Sequence, residues 1–376
     1  MFIQRIHPKS FAHFLNSIRP DSTGYKIMVQ KSHELAFVIF GISLPAMHIL
    51  KQEALSAGAE LATPKDAILC QKAEFDVLLF GTRPQILRII RKCQIQPFDL
   101  KSLAHTLTQH LTAPHYPPEL MAILNLTPDS FYSGSRFQAQ EALQHIQQLI
   151  ALGVQIIDIG AASSRPDSPL ISSHQEIERL KPLLDLLPVI PSHIKLSIDT
   201  YNPHTAEYAL SRGFHILNDI FGFKNPEMIA IAQEFGAKVV LMHSKGTPQT
   251  MQTLTNYNNL FEEIDTFFTQ QIQTLQAHHI HDIILDIGFG FAKDLHQNIA
   301  LIQHLEHFKH FHLPLLVGAS RKNTIGLLTQ QPVHQRLSGT LALHQIALQN
   351  GANILRIHDV QEHIDMIKIL QALGEI

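Results

Sequence analysis

The chain has 376 residues, 45% of them hydrophobic, enough for one large core or for a large and a small one. Its 29 Lys and Arg against 32 Asp and Glu give a formal charge of −3, so no basic field is available for wrapping nucleic acid. Cys70 and Cys93 are too few for a disulfide framework and lack paired-ligand spacing for zinc, which fits a reducing cytosol.

The opening stretch, MFIQRIHPKSFAHFLN, holds no continuous apolar segment, and the most membrane-like stretch, Glu34 to Leu50, is broken by Gly41, Pro45 and His48. A cytoplasmic protein without a membrane partner is expected. The 25 histidines each titrate near pH ~6.5 and read mostly as surface positions.

Residues 1–115 read as a small α/β domain of unassigned role. Strands are expected at Lys26–Val29, Leu35–Ile42 and Val77–Phe80, with helices at Met47–Ala57, Pro84–Lys92 and Leu100–Leu111. Glu53, Asp66, Asp76 and Arg83 stand there as isolated charges and form no constellation. TAPHYPPEL, Thr112 to Leu120, carries three prolines and marks the boundary with a second domain over residues 116–376.

From Leu120 onward a short apolar run, a polar loop and an amphipathic segment alternate. Strands are expected at Leu120–Leu124, Gln155–Ile159, Lys195–Ile198, His215–Leu217, Lys238–Met242, Ile283–Leu285, Leu315–Val317 and Asn353–Leu355. The intervening helices fall near Ala139–Leu152, His174–Leu187, Pro203–Ser211, Pro226–Phe235, Asn258–His278, Asp294–His304, Val333–Asn350 and Gln361–Leu373. Eight such alternations predict a (β/α)8 TIM barrel. An open doubly wound sheet competes, but no glycine-rich dinucleotide loop follows the first strand.

In a barrel the chemistry sits at the C-terminal ends of the strands, and polar residues stand at each end here. They are Asn125; Ser163, Ser164 and Arg165; Asp199; Asn218 and Asp219; His243; Asp286; Ser320, Arg321 and Lys322; and Arg356, His358 and Asp359. Taken singly, Asp219 and Asp359 also read as turn or helix caps, and His243 as a satisfied half-buried histidine.

Asp199, Asn218 and Asp286 offer acceptors and an amide for the edge of a flat heterocycle bearing an amino group. Arg165, Lys322, Arg356, His358 and Ser320 offer donors for phosphate or pyrophosphate. The two sets together predict a phosphorylated heterocycle, with Asn125 or Asp129 able to hold magnesium on the phosphate oxygens.

The succession MAILNLTPDSF, DIGAASSRP, SIDT, LNDI, LMHSKGTP, LDIGFGFAKD, LVGASRK and LRIHDV resembles the motifs of the dihydropteroate synthase family, from about Leu120 to the C-terminus. The resemblance implies a pterin-binding barrel that condenses 6-hydroxymethyl-7,8-dihydropterin pyrophosphate with p-aminobenzoate to 7,8-dihydropteroate. It implies pterin-edge contacts from Asp199, Asn218 and Asp286, with Lys322 reaching the ring and Met242 beneath it. Arg356 and His358 fall on pyrophosphate ligands, and Asn125 on the contact to Mg2+ and pyrophosphate. Lys322, Asp199, Arg356 and His358 are the residues expected to carry catalysis.

Thr127 through Phe131, with Asp129, match a first mobile loop, and Ser163 through Pro166, with Ser164, a second. Arg165, Pro166, Phe131, Lys322 and Ser320 fall where the family accepts p-aminobenzoate and where sulfonamides compete. A homodimer through late barrel helices such as Val333–Asn350 is also implied. Ala162, Ser164, Ser244, Gln249 and Ile287 depart from the usual pattern, and the extra N-terminal domain exceeds the family's minimal barrel. A related barrel, the corrinoid methyltransferase type, would share the ring ligands but has no use for a pyrophosphate clamp at SRK and RIHD.

Overall fold

The computed structural model describes residues 3–4, 11–126, 136–162, 169–187, 191 and 193–376. The chain divides into two compact units, the first mainly of residues up to Ala113 with the short segment His310–His312, the second mainly of residues from Pro114 onward. Among the described residues, no helix is long and apolar enough to cross a membrane.

The first unit opens with α1 (Phe11–Ile18) and α2 (Ser22–Lys31). Helix α2 starts where the Asp21 carboxylate accepts from the amides of Thr23 and Gly24, donors that a helix otherwise leaves open. The strand expected at Lys26–Val29 is therefore a helical segment. Tyr25, Met28 and Val29 are half-buried at helical spacing while Ile27 is exposed, and three consecutive apolar residues, Ile27 to Val29, are too short a run to reveal that period.

There follow β1 (Glu34–Ser43), α3 (Leu44–Ala57), β2 (Glu60–Ala62), β3 (Glu74–Thr82), α4 (Arg83–Cys93) and α5 (Leu100–Leu111). The strands form an antiparallel sheet in the order β1-β3-β2, in which the short β2 was not expected. Phe75, Val77 and Leu79 alternate inward along β3 and join Met47, Leu50, Ile86 and Ile89 in one core. Burying each such side chain is worth roughly 1.5–3 kcal/mol.

The second unit alternates β4 (Glu119–Asn125), α6 (Arg136–Ala151), β5 (Ile156–Gly160), α7 (Ser173–Leu184), β6 (Lys195–Asp199), α8 (Pro203–Leu210), β7 (Ile216–Asp219) and α9 (Pro226–Glu234). It continues with β8 (Lys238–Met242), α10 (Leu260–Ala277), β9 (Ile283–Asp286), α11 (Leu295–Gln303), β10 (Leu315–Val317), α12 (Asn323–Thr329), α13 (Leu337–Gln349), β11 (Ile354–Ile357) and α14 (Val360–Ala372). The eight strands β4 to β11 are parallel and close through β9–β10 and β11–β4, as the predicted barrel requires. Helix α12 was not expected. Its seven residues follow Lys322 directly and are too few to show a helical period.

Strand periodicity positions the site. Met121, Ile156, Ile216, Val240, Ile284, Leu316 and Ile354, one from each of seven strands, form a single buried layer in the barrel. Successive strand side chains alternate, so the residue two places on shares the inward direction. That parity gives Asp158 after Ile156, Asn218 after Ile216, Met242 after Val240, Asp286 after Ile284 and Arg356 after Ile354.

Candidate active site

Adjacent strands place the first part of the site in one row. Asn125 pairs in register with Gly160, Gly160 with Asp199, and Asp199 with Asn218. Gly160 permits this approach, because a Cβ there would lie 3.3 Å from Asp199 Cβ and 3.7 Å from Asn125 Oδ1. Asp199, Asn218 and Asp286 are all buried and point into the barrel mouth.

Asp158 and Arg356 tie this row together. The Asp158 Oδ2 atom accepts from Arg356 Nε at 2.6 Å and from Asn218 Nδ2 at 3.2 Å, while Arg356 Nη2 donates to Asp199 Oδ2. Asn218 thus gives one amide N–H to Asp158, which fixes the amide's orientation and leaves its carbonyl oxygen as acceptor for a ligand. The other oxygen, Asp158 Oδ1, is buried with no partner among the described residues.

Burial pushes the Asp199 carboxyl up to about 7, against the attraction of Arg356. Burial also raises Asp286, whose Oδ1 accepts from Gly288 N at 2.7 Å while Lys322 favours its charged form. Arg356 loses hydration but is held above its ordinary range by Asp158 and Asp199. The mouth is therefore a dry network of opposed charges rather than a solvated rim.

The donor side comes from β10 and β11. Ser320 Oγ stands 2.9 Å from His358 Nδ1 and accepts from the His358 amide at 3.3 Å. Lys322 Nζ donates to the Phe289 carbonyl and lies 4.5 Å from the Phe291 ring centroid. Burial brings its ammonium down to about 8, with Asp286 pulling the other way. Gly290, at φ +82, lets the chain pass close to Lys322, since a Cβ there would be 3.1 Å from Lys322 Cδ.

The structure thus gathers Asp199, Asn218, Met242, Asp286, Lys322 and Arg356 around one mouth, with Ser320 and His358 paired beside it. Met242 is buried against Ile220, Met251, Phe291 and Ala292. Asn125 is half-buried at the end of β4. Thr127, Asp129, Phe131, Ser164, Arg165 and Pro166, with the two expected loops, lie outside the described residues.

Four strand-end residues serve the framework instead. Asp219 accepts from Phe221 N and Phe223 N, both at 2.8 Å, and so caps its own turn. Arg321 and Asp359 form a two-bonded ion pair. His243 is buried and accepts, through Nδ1, from Lys293 Nζ at 3.0 Å.

Two residues of this region escape a search of strand ends. Asp158 lies within the apolar run IIDIG, where only its parity with Ile156 marks it as inward-facing. Lys293 ends the stretch GFGFAK; besides His243 Nδ1, its ammonium meets the carbonyls of His243, Gly288 and Phe291 at 3.3, 3.1 and 3.0 Å. Burial pushes Lys293 down to about 7. A buried lysine in a glycine-rich loop needs such acceptors, which is the only sequence signal it gives.

The profile of the pterin binding enzyme family matches residues 121–358. The bifunctional dihydropteroate synthase/dihydropteroate reductase of Helicobacter pylori is 48% identical over 380 residues, covering 100% of both chains. The Escherichia coli dihydropteroate synthase is 38% identical over 258 residues, 68% of this chain and 91% of its own. Among solved structures, Yersinia pestis dihydropteroate synthase in complex with a sulfonamide drug superposes with a TM-score of 0.65 at 38% identity, over 69% of this chain and 95% of that one.

Proposed function

The chain belongs to the pterin-binding enzyme family, and we propose that it is a dihydropteroate synthase, a transferase joining 6-hydroxymethyl-7,8-dihydropterin pyrophosphate to p-aminobenzoate. The observation that carries this reading is the pairing of a buried acceptor row, Asp199, Asn218 and Asp286, with the donors Lys322, Arg356, Ser320 and His358 at one barrel mouth. A flat amino-heterocycle satisfies the first set and a diphosphate the second.

The chemistry follows from where charge develops. The bond from the methylene carbon to the pyrophosphate oxygen breaks with its electron pair going to oxygen. Lys322 and Arg356 supply positive charge on that side, and His358 and Ser320 supply hydrogen bonds. The carbocation spreads into the pterin ring, whose N–H groups face the carboxylates of Asp199 and Asp286 and the carbonyl oxygen of Asn218. The aniline nitrogen then attacks the methylene and releases one proton, so no enzyme nucleophile is required. Water must be kept from the same carbon, the role assigned to the loops holding Thr127, Asp129, Phe131, Ser164, Arg165 and Pro166. Ser320 and Lys322 border the space for p-aminobenzoate, where sulfonamides would compete.

Magnesium on the phosphate oxygens would neutralise charge on the leaving group. Asn125, half-buried at the end of β4 and in the same row as Gly160 and Asp199, would offer such an ion one hard oxygen ligand. We place the enzyme in the cytoplasm as a homodimer. The exposed side chains of Leu327, Leu328, Val333 and Ile346, on and beside α12 and α13, support that association.

The test is pyrophosphate release with magnesium and the pterin pyrophosphate, with and without p-aminobenzoate, alongside detection of dihydropteroate. Coupled product supports the synthase; tight pterin binding without product would reduce the protein to a binder. A second reading rests on the Helicobacter relative named for both a synthase and a reductase, which aligns across the whole chain, N-terminal unit included. It predicts that dihydropteroate is consumed when an electron donor is supplied.

A further inference from the structure

Two buried histidines outside the reacting groups touch each other behind the loop that carries Ser320 and Lys322. His344 on α13 and His363 on α14 are both fully buried, and His344 Nδ1 lies 2.8 Å from His363 Nε2. The hydrogen-bond chain continues at each end. Ala319 N–H donates to His344 Nε2 at 3.0 Å, and His363 Nδ1 faces the main-chain oxygen of Asp359.

A main-chain amide only donates and a carbonyl only accepts, so one placement of protons satisfies all four ring nitrogens. His344 is neutral with its hydrogen on Nδ1, donating to His363. His363 is neutral with its hydrogen on Nδ1, donating to Asp359. A further proton on either ring would set two N–H groups face to face.

Both ends of this relay belong to the phosphate side. Ala319 precedes Ser320, whose hydroxyl meets His358, and Asp359 follows His358 and holds Arg321. Helix α13 supports the same turn again, because Thr340 Oγ1 accepts from Arg321 N at 3.0 Å and Arg336 Nη1 donates to Arg321 O at 3.1 Å. The acceptor row of the pterin side receives no bond from either histidine.

We propose that His344 and His363 are positioning residues that fix the Ser320–His358 clamp by a two-imidazole relay, so that affinity for the diphosphate part of the substrate depends on them and affinity for the pterin part does not. This rests on the functional reading above. The experiment compares binding of 6-hydroxymethyl-7,8-dihydropterin with that of its pyrophosphate, both with magnesium, to full-length wild type, His344→Leu and His344→Gln by calorimetry. Leucine removes the acceptor for Ala319 N–H, whereas the glutamine amide supplies both an acceptor and a donor at similar separation.

The expected result is a loss of tenfold or more for the pyrophosphate in His344→Leu, with pterin affinity within twofold, and recovery to within threefold in His344→Gln. Equal affinities in wild type and His344→Leu, or parallel loss of both ligands in a folded variant, would overturn the relay. Should His344→Leu fail to fold, His363→Leu, which removes the acceptor for His344 Nδ1 and the donor to the Asp359 carbonyl but leaves the Ala319–His344 bond in place, is read by the same criteria. Wild type that binds neither compound would overturn the functional reading instead.

Discussion

Arg356 Nε stands 2.6 Å from Asp158 Oδ2 inside the barrel, and the same guanidinium reaches Asp199. One cation from β11 thereby orients carboxylates on β5 and β6, and through Asp158 also the Asn218 amide on β7. Asp158→Asn keeps the shape but removes the charge that holds Arg356. Steady-state kinetics should show kcat/KM down by about 10². Asp158→Ala, which leaves Asp199 as the one remaining carboxylate on Arg356 and takes the acceptor from the Asn218 amide, should lower stability by about 1–3 kcal/mol in a denaturant melt. Wild-type kinetics in the asparagine variant would show that Asp158 only fills space.

Lys322 is confined between the Phe289 carbonyl and the Phe291 ring, with Gly290 close against its stem. Lys322→Ala should cut turnover by about 10²–10³ while circular dichroism and melting temperature stay near wild type. Lys322→Arg should not restore activity, because a planar guanidinium is broader than the space beside Gly290. Near-normal turnover in either variant would remove Lys322 from the site.

Much of this arrangement was readable because barrel strands end abruptly. An apolar run followed by a polar residue marks Asn125, Asp199, Asn218, Asp286 and Arg356, and strand closure needs only the count of alternations. Asp158 was not readable by that rule, since it sits one step inside the run and looks like core. The Arg356–Asp199 bond was also hidden: the chemical sorting assigned the two to opposite ends of the ligand, and only closure of β11 onto β4 brings them together. Lys26–Val29 failed for a local reason, because the Asp21 cap decides a segment too short for its apolar pattern to decide.

Asp199 should give the proposed reaction a pH dependence. Its carboxyl is raised to about 7 by burial, and in the function proposed above the charged form is the acceptor for the pterin. As pH falls through that value the free enzyme gains a proton and loses the acceptor. A plot of log kcat/KM against pH should bend near 7 and fall by about tenfold per unit below it. A flat profile down to pH 5.5 would mean that Asp199 is ionised throughout.

The histidine relay predicts a stability effect of opposite origin. Burial lowers both His344 and His363 below the ordinary 6.5, and the ionisable groups facing them are Lys322, His358, Asp359 and Glu362. The unfolded chain binds more protons below that value, so the contribution of the neutral pair is complete above it and declines as pH falls. Two such groups give a slope of up to about 2.7 kcal/mol per pH unit. Chemical denaturation at pH 7.5 and 5.5 should show a smaller loss for His344→Gln than for wild type, and equal losses would mean that the rings accept protons where they lie.

The barrel has its own closed sheet and buried layer, and the first unit its own core, so each has the apolar interior that independent folding needs. A chain beginning at Pro114 should be soluble, melt cooperatively and retain coupled pyrophosphate release, because each described residue assigned to the reaction lies within it. If the bifunctional reading holds, the same truncation should abolish consumption of dihydropteroate while leaving its formation intact. An insoluble or molten product would show that the two cores fold as one. Loss of synthesis in a well-folded barrel would place part of the active site in the N-terminal unit.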